Sequence, residues 1–200
     1  MADGAGYPRS TGSPRGAARR QELLQAVTDD LATNGLADFS LRRAARAAGT
    51  THKVVLYHFD GVEELLAEAI RELRQRRISN VLAAAATGVP FSMTLPLIWP
   101  VLADDASGLR VIDEAIGLAM FDPQRYAHLA REASDQYRPA LRAMCPPGWS
   151  PQRVHEVTEL VLAAIRGFLM EWRTSRDDAA VQAGLAALVR AVGREEAAGD

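Results

Sequence analysis

Apolar positions recur at three- and four-residue spacing along almost the whole chain, the period of helices that bury one face. Leu23, Leu24, Val27 and Leu31 form the first stripe, and Asn34-Gly35 offers a left-handed stop, so a first helix is expected from Ala17 to about Thr33. Ser40 caps a short second helix, Leu41 to Ala48, ended by Gly49, and Thr51 opens a third, His52 to about His58. Asp60 and Glu63 have the spacing of a capping box before a fourth helix, whose stripe is Val62, Leu65, Leu66, Ala69, Ile70 and Leu73. Val111, Ala115, Leu118 and Ala119 mark a further short helix up to Met120. Asp122-Pro123 and Ser150-Pro151 each read as a cap followed by proline in the first turn; the first opens a helix to about Met144, the second a wide apolar face running through Trp172. A last helix after Asp177-Asp178 presents Val181, Leu185, Leu188, Val189 and Val192. No segment alternates with period two and no solenoid period recurs, so the expected fold is all-α with about nine helices.

Residues 78–103 carry no charge, a length at which a membrane span must be considered. Ala83 to Ala86 are only weakly apolar, Gly88-Val89-Pro90 breaks the segment, Pro96 and Pro100 interrupt it again, and Ser92 and Thr94 add hydroxyls. The pattern fits a buried helix end, a turn and a proline-bent helix, with no membrane contact. Residues 1–14 are polar and rich in Gly and Pro, which predicts a disordered tail and no signal peptide. Cys145 is the single cysteine and cannot form an internal bridge, so a reducing, cytoplasmic setting is expected.

Charge changes the picture only when it is divided. The 200 residues carry a net charge of -2, which argues against a polyanionic partner. Residues 1–77, however, hold 12 basic against 10 acidic groups, and 78–200 hold 11 against 15. Of the 23 basic residues only Lys53 is lysine. The chain is accordingly divided into a tail (1–14), a head (15–60), a connecting helix (61–77) and a C-terminal domain (78–200).

The second helix, the Gly49 turn and the third helix have the lengths of a helix-turn-helix. Thr51, His52 and Lys53 occupy the first turn of the third helix, where side chains come closest to base edges; Val55, Leu56 and Phe59 can face inward. Lys53 can donate to guanine N7 or O6, and Thr51 and His52 can reach base or phosphate. Ser40, Tyr57 and His58 can donate to phosphates, and Arg15, Arg19, Arg20, Arg42, Arg43 and Arg46 add positive charge. The same residues could also be packing and a solvated face, since this spacing is common in helical proteins.

The run from Phe39 through Ser40-Leu41-Arg42-Arg43-Ala44-Ala45-Arg46-Ala47-Ala48-Gly49-Thr50-Thr51-His52-Lys53-Val54-Val55-Leu56-Tyr57-His58-Phe59, followed by Glu63-Glu64-Leu65-Leu66, resembles the DNA-binding region of the tetracycline-repressor (TetR) family over about residues 17–70. The resemblance implies an all-helical homodimer with a three-helix DNA-binding head. It also implies a C-terminal domain holding both the dimer interface and a ligand pocket, with repression relieved by a small molecule. It places base and groove contacts on Thr51, His52, Lys53 and Tyr57, and phosphate contacts on Ser40 and His58. The sequence departs from the family pattern in having Leu56 where a tyrosine is usual and Val62 where a lysine commonly opens the fourth helix.

No catalytic, metal or cofactor site is expected. The four histidines lie at no metal-ligand spacing, no Gly-rich phosphate loop or GxSxG occurs, and Asp104-Asp105 and Asp177-Asp178 stand where helix caps belong. The alternative reading is a helical interaction module or enzyme in which the helix-turn-helix is only scaffold. In the C-terminal domain, Trp99, Met120, Phe121, Phe168 and Trp172 are the candidate lining of a small-molecule pocket, against ordinary core packing. Leu160, Ala164, Gly167, Leu185 and Leu188 of the last two helices are the candidate dimer interface.

Overall fold

The computed structural model of the protein describes residues 13–85, 88–104, 108–130 and 132–198. Among these, every regular element is a helix: α1 (Pro14–Asn34), α2 (Leu41–Ala47), α3 (His52–His58), α4 (Val62–Ala84), α5 (Phe91–Leu102), α6 (Leu109–Phe121), α7 (Pro123–Ala130), α8 (Ala133–Met144), α9 (Pro151–Ser175) and α10 (Asp178–Ala197). No helix is long and apolar enough to cross a membrane.

The caps follow the sequence closely. Ser40, Ser150 and Asp177 accept from the backbone N–H of Arg43, Arg153 and Ala180, and Asp122 accepts from that of Arg125. Ser13, assigned to the tail, instead caps α1, with Pro14 as its first residue; the rest of that tail lies outside the described residues, as does Asp105. The box at the start of α4 closes one residue later than expected, on Glu64, which accepts from the Asp60 N–H.

Packing divides the chain into two compact units, Met1–Leu73 with Arg110–Leu129 and Arg74–Leu109 with Ala130–Asp200. The first, the head, is built on Leu23, Val27 and Leu31 of α1, Ala44 of α2, Val55 and Phe59 at α3, and Leu65, Ile70 and Leu73 of α4. Val111 and Ala115 of α6 and Leu129 of α7 belong to the same core. Each fully buried Leu or Ile here contributes about 1.5–3 kcal/mol. The helix expected to run unbroken from Pro123 to Met144 is therefore two: α7 puts Leu129 into this core, and α8 puts Leu141 into the other.

The body core gathers Phe91, Leu95, Ile98, Trp99 and Leu102 of α5, Val157, Val161, Ile165 and Leu169 of α9, and Val181, Leu185, Leu188 and Val192 of α10. Pro96 and Pro100 lie inside α5 with their rings exposed, which leaves two intrahelical hydrogen bonds unmade on its outer side. Glu196 of α10 accepts from the Ser92 N–H at 3.2 Å and from its hydroxyl, satisfying a first-turn amide of α5. Arg77 is buried and donates to the carbonyls of Leu102 at 2.5 Å and Asp104 at 3.4 Å at the end of α5.

Candidate nucleic-acid interface

The short helix α3 is amphipathic across its width. Val55 and, just past its end, Phe59 are buried, while Thr51, His52, Lys53, Leu56 and Tyr57 are exposed. Leu56, expected to turn inward, instead stands 41 % exposed. Thr51 occupies the N-cap position with extended backbone but makes no side-chain cap bond, so its hydroxyl is not drawn back onto the helix. The turn before it requires Gly49, whose φ of 58° is the left-handed conformation that a Cβ disfavours.

The arginines around this helix divide into two kinds. Arg42 and Arg46 point outward. Arg43 does not: its Nε donates to Asp30 Oδ2 at 2.7 Å, its Nη1 to the Ala37 carbonyl at 2.7 Å and its Nη2 to the Gly35 carbonyl at 2.8 Å. The turn from α1 to α2 is wrapped around that guanidinium, which leaves it no free edge for a phosphate. Arg20 behaves similarly at the far end of α3. Its Nε donates to the His58 carbonyl at 3.1 Å, its Nη atoms bind Glu68 at 2.8 and 2.5 Å and Glu64 at 3.2 Å, and its plane stacks 4.4 Å from the Phe59 ring centroid. The hydrogen bond to Glu68 is the main influence holding that guanidinium charged beyond its usual range.

Behind α3, His58 lies edge-on to the Tyr57 ring at 5.0 Å, and its Nδ1 is buried without a hydrogen-bond partner. Burial first, then the charges of Arg19 and Arg20, pulls its pKa below 6.5. The imidazole is consequently neutral near pH 7, and any phosphate contact it made would be as a neutral donor.

Several supports of the head are invisible to motif reading. Glu114 of α6 accepts from the Leu36 N–H at 2.6 Å and pairs with Arg110 at 2.8 Å, bracing the turn that holds α2. Glu64 and Glu68, one turn apart on one face of α4, supply the acidic half of the Arg20 clamp.

The body candidates scatter. Trp99 is buried in the core of α5, and Phe168 packs on Gly184 so tightly that a Cβ there would lie 2.6 Å from its ring. Trp172 sits at the corner between α9 and α10, its indole N–H donating to Asp178 at 2.9 Å and its ring covered by Arg176 at 4.4 Å. Met120 and Phe121 end α6 in the head unit, 73 % and 88 % exposed. Of the interface candidates, Leu160 and Gly167 lie on the outward face of α9, together with Ala163 and Met170, and Ala164 is half-buried. Leu185 and Leu188 are instead buried in the body core, and α10 exposes Ala183 and Ala187.

No family model matches the sequence. A curated relative, the HTH-type transcriptional regulator BetI 1 of Chromohalobacter salexigens, is 34 % identical over 55 residues, covering 28 % of this chain and 27 % of its own length, so the match spans about a quarter of that protein. Solved structures match over most of the chain. The Streptomyces coelicolor A3(2) protein SCO7518, described as a transcriptional regulator, superposes with a TM-score of 0.68 at 24 % identity, covering 86 % of this chain and 96 % of its own. A TetR-family transcriptional regulator from Cytophaga hutchinsonii gives 0.67 at 16 % identity over 88 % and 94 %. The multidrug binding protein EbrR, complexed with imidazole, gives 0.66 at 18 % identity over 95 % and 96 %. The all-helical fold, with α1 and α2 packed with an outward-facing α3, is thus the fold of the TetR-family transcriptional regulators, and this chain has it.

Proposed function

We propose that the chain is a ligand-responsive transcriptional regulator of the TetR type, a homodimer that holds double-stranded operator DNA through α3 and releases it when a small molecule binds. The observation that carries this reading is the division of α3 into a buried side, Val55 and Phe59, and an outward first turn of Thr51, His52 and Lys53 with Tyr57 beyond. A helix lying in a major groove needs that division. In this reading Lys53 donates to guanine edges, Thr51 and His52 read the neighbouring bases or phosphate, and Ser40, Arg42 and Tyr57 hold phosphates. Arg43 acts from behind, by shaping the turn that presents α2.

The homodimer is proposed through the outward faces of α9 and α10, where Leu160, Ala163, Gly167 and Met170 of α9 and the small residues Ala183 and Ala187 of α10 are exposed. Small residues let helices approach closely across a two-fold axis, and two heads must sit about 34–36 Å apart to enter successive major grooves. Response to small molecules is supported by EbrR, which shares the fold and has also been seen with proflavin and with ethidium. Trp99 is the body aromatic whose fluorescence should report such binding. By linkage, a ligand that weakens operator binding binds less tightly to the DNA-bound form.

Fluorescence anisotropy with DNA flanking the protein's own gene, at rising salt and repeated with Lys53→Ala, tests the reading. The protein should lose affinity steeply with salt through counterion release, and the substitution should reduce discrimination between sequences. Equal, weak binding of both proteins to every sequence would sink it.

A further inference from the structure

One outward side chain of α3 has no hydrogen bond to offer. Val55 and Phe59 are 1 % and 2 % exposed and Val54 packs against the same core, whereas Leu56 is 41 % exposed. A single exposed leucine is ordinary on a protein surface, and exposure alone says nothing about function. Its place on the helix says more. Successive residues advance by about 100° around the axis, so Leu56 projects between His52 and Lys53, about 60° from the latter and one turn further along. His52, Lys53, Leu56 and Tyr57 are all exposed and occupy one face of α3.

A face that enters a major groove takes Leu56 in beside Lys53 and strips both of water. The lysine recovers its hydrogen bonds on guanine N7 and O6, but an isobutyl group recovers nothing from a polar edge. Set over guanine O6 and N7, or over the amino group of adenine or cytosine, it would leave those atoms without water or partner. The C5-methyl of thymine is the aliphatic group that base pairs show in this groove. Leucine against it buries apolar surface on both sides, so preference arises from a penalty at other bases as well as from attraction at this one. Between Lys53 and Leu56 the helix rises about 4.5 Å, against about 3.4 Å for one base step. Leu56 carries no charge, so it adds nothing to the salt dependence of binding.

Within the operator reading, on which this rests, we propose that Leu56 is a specificity-determining residue that packs on the 5-methyl group of a thymine, one or two base pairs from the guanine that Lys53 meets. Leu56 thereby adds to the operator a base that no hydrogen bond from α3 identifies.

Duplexes enriched from a random pool by the full chain supply the probe, each thymine being replaced in turn by deoxyuridine, which removes one methyl and leaves every base-pair hydrogen bond in place. In fluorescence anisotropy, one such replacement within a half-site should weaken binding about fourfold, the worth of one buried methyl, without changing the salt slope. Leu56→Ala should bind the thymine duplex about fourfold or more weakly with helical circular dichroism unchanged, and should no longer distinguish thymine from deoxyuridine at that position. Should Leu56→Ala fail to fold, Leu56→Gln, closer in size, takes its place with the same expected outcome. Enriched duplexes that no deoxyuridine weakens, or a deoxyuridine effect that survives in the variant, overturn the role of Leu56 and leave the operator reading standing. A pool from which no sequence enriches overturns the operator reading, and the role of Leu56 with it.

Discussion

In the head, Arg20 and Arg43 each bind a backbone carbonyl at the end or turn of a helix together with a carboxylate from another helix, while Arg42, Arg46 and Lys53, on α2 and α3, face outward. The body also uses arginine on carbonyls, through Arg77, but part of what its last two helices expose is apolar and small: Leu160, Ala163, Gly167, Met170, Ala183 and Ala187. Exposed surface is thus cationic beside α3 and apolar at those positions of α9 and α10. A polyanion suits the first and another helix pair the second. Arg42 and Arg43 show how local the difference is, since adjacent residues of one type serve opposite ends.

The largest effect expected from breaking this division is at Leu188. Leu188→Glu drives a carboxylate into the body core and should cost about 3 kcal/mol or more, seen as a collapsed denaturation midpoint. Leu160→Glu, on the outward face of the neighbouring helix, should leave helicity intact and yield monomers by light scattering with loss of operator binding. A dimer that survives Leu160→Glu would remove α9 from the interface.

Next comes the arginine pair. Arg43→Ala removes the cation from Asp30 and a donor from three carbonyls, and should cost about 2–3 kcal/mol in urea denaturation. Arg42→Ala should change stability by less than about 0.5 kcal/mol yet lower the salt slope of DNA binding by about one. Matching stabilities for the two variants would erase the distinction drawn between them. Gly184→Ala, whose new methyl meets Phe168, should cost about 1–2 kcal/mol and lower the thermal midpoint without altering DNA contacts in the head.

The smallest effect concerns pH. The folded pKa of His58 lies below its unfolded value of 6.5, so the unfolded chain binds the proton more readily. The resulting stability is fully present above pH 6.5 and is lost as pH falls through the folded value. His58→Gln should flatten that part of the stability profile; an unchanged profile would show that His58 does not contribute.

The boundaries of α3 were legible because Gly49, Thr51 and the Val55–Phe59 spacing are local signals. The same holds for the proline-led starts of α7 and α9. What could not be read was set by contacts distant in sequence. The role of Arg43 depends on where the chain folds back after Asn34, and that of Glu114 on a helix nearly 80 residues away meeting the Leu36 amide. The break between α7 and α8 escaped because helical periodicity continues while the core being filled changes. Leu185 and Leu188 were assigned outward because the stripe of α10 shows which residues are apolar, not which neighbour covers them.

Lys53, exposed one residue into α3, is also a chemical address. A protease specific for lysine has a single bond in the 200 residues to cut, the one between Lys53 and Val54, and cutting there requires the first turn of α3 to open. The rate at which two fragments emerge therefore measures how often that turn unwinds, and any partner seated on α3 should announce itself as protection of one peptide bond.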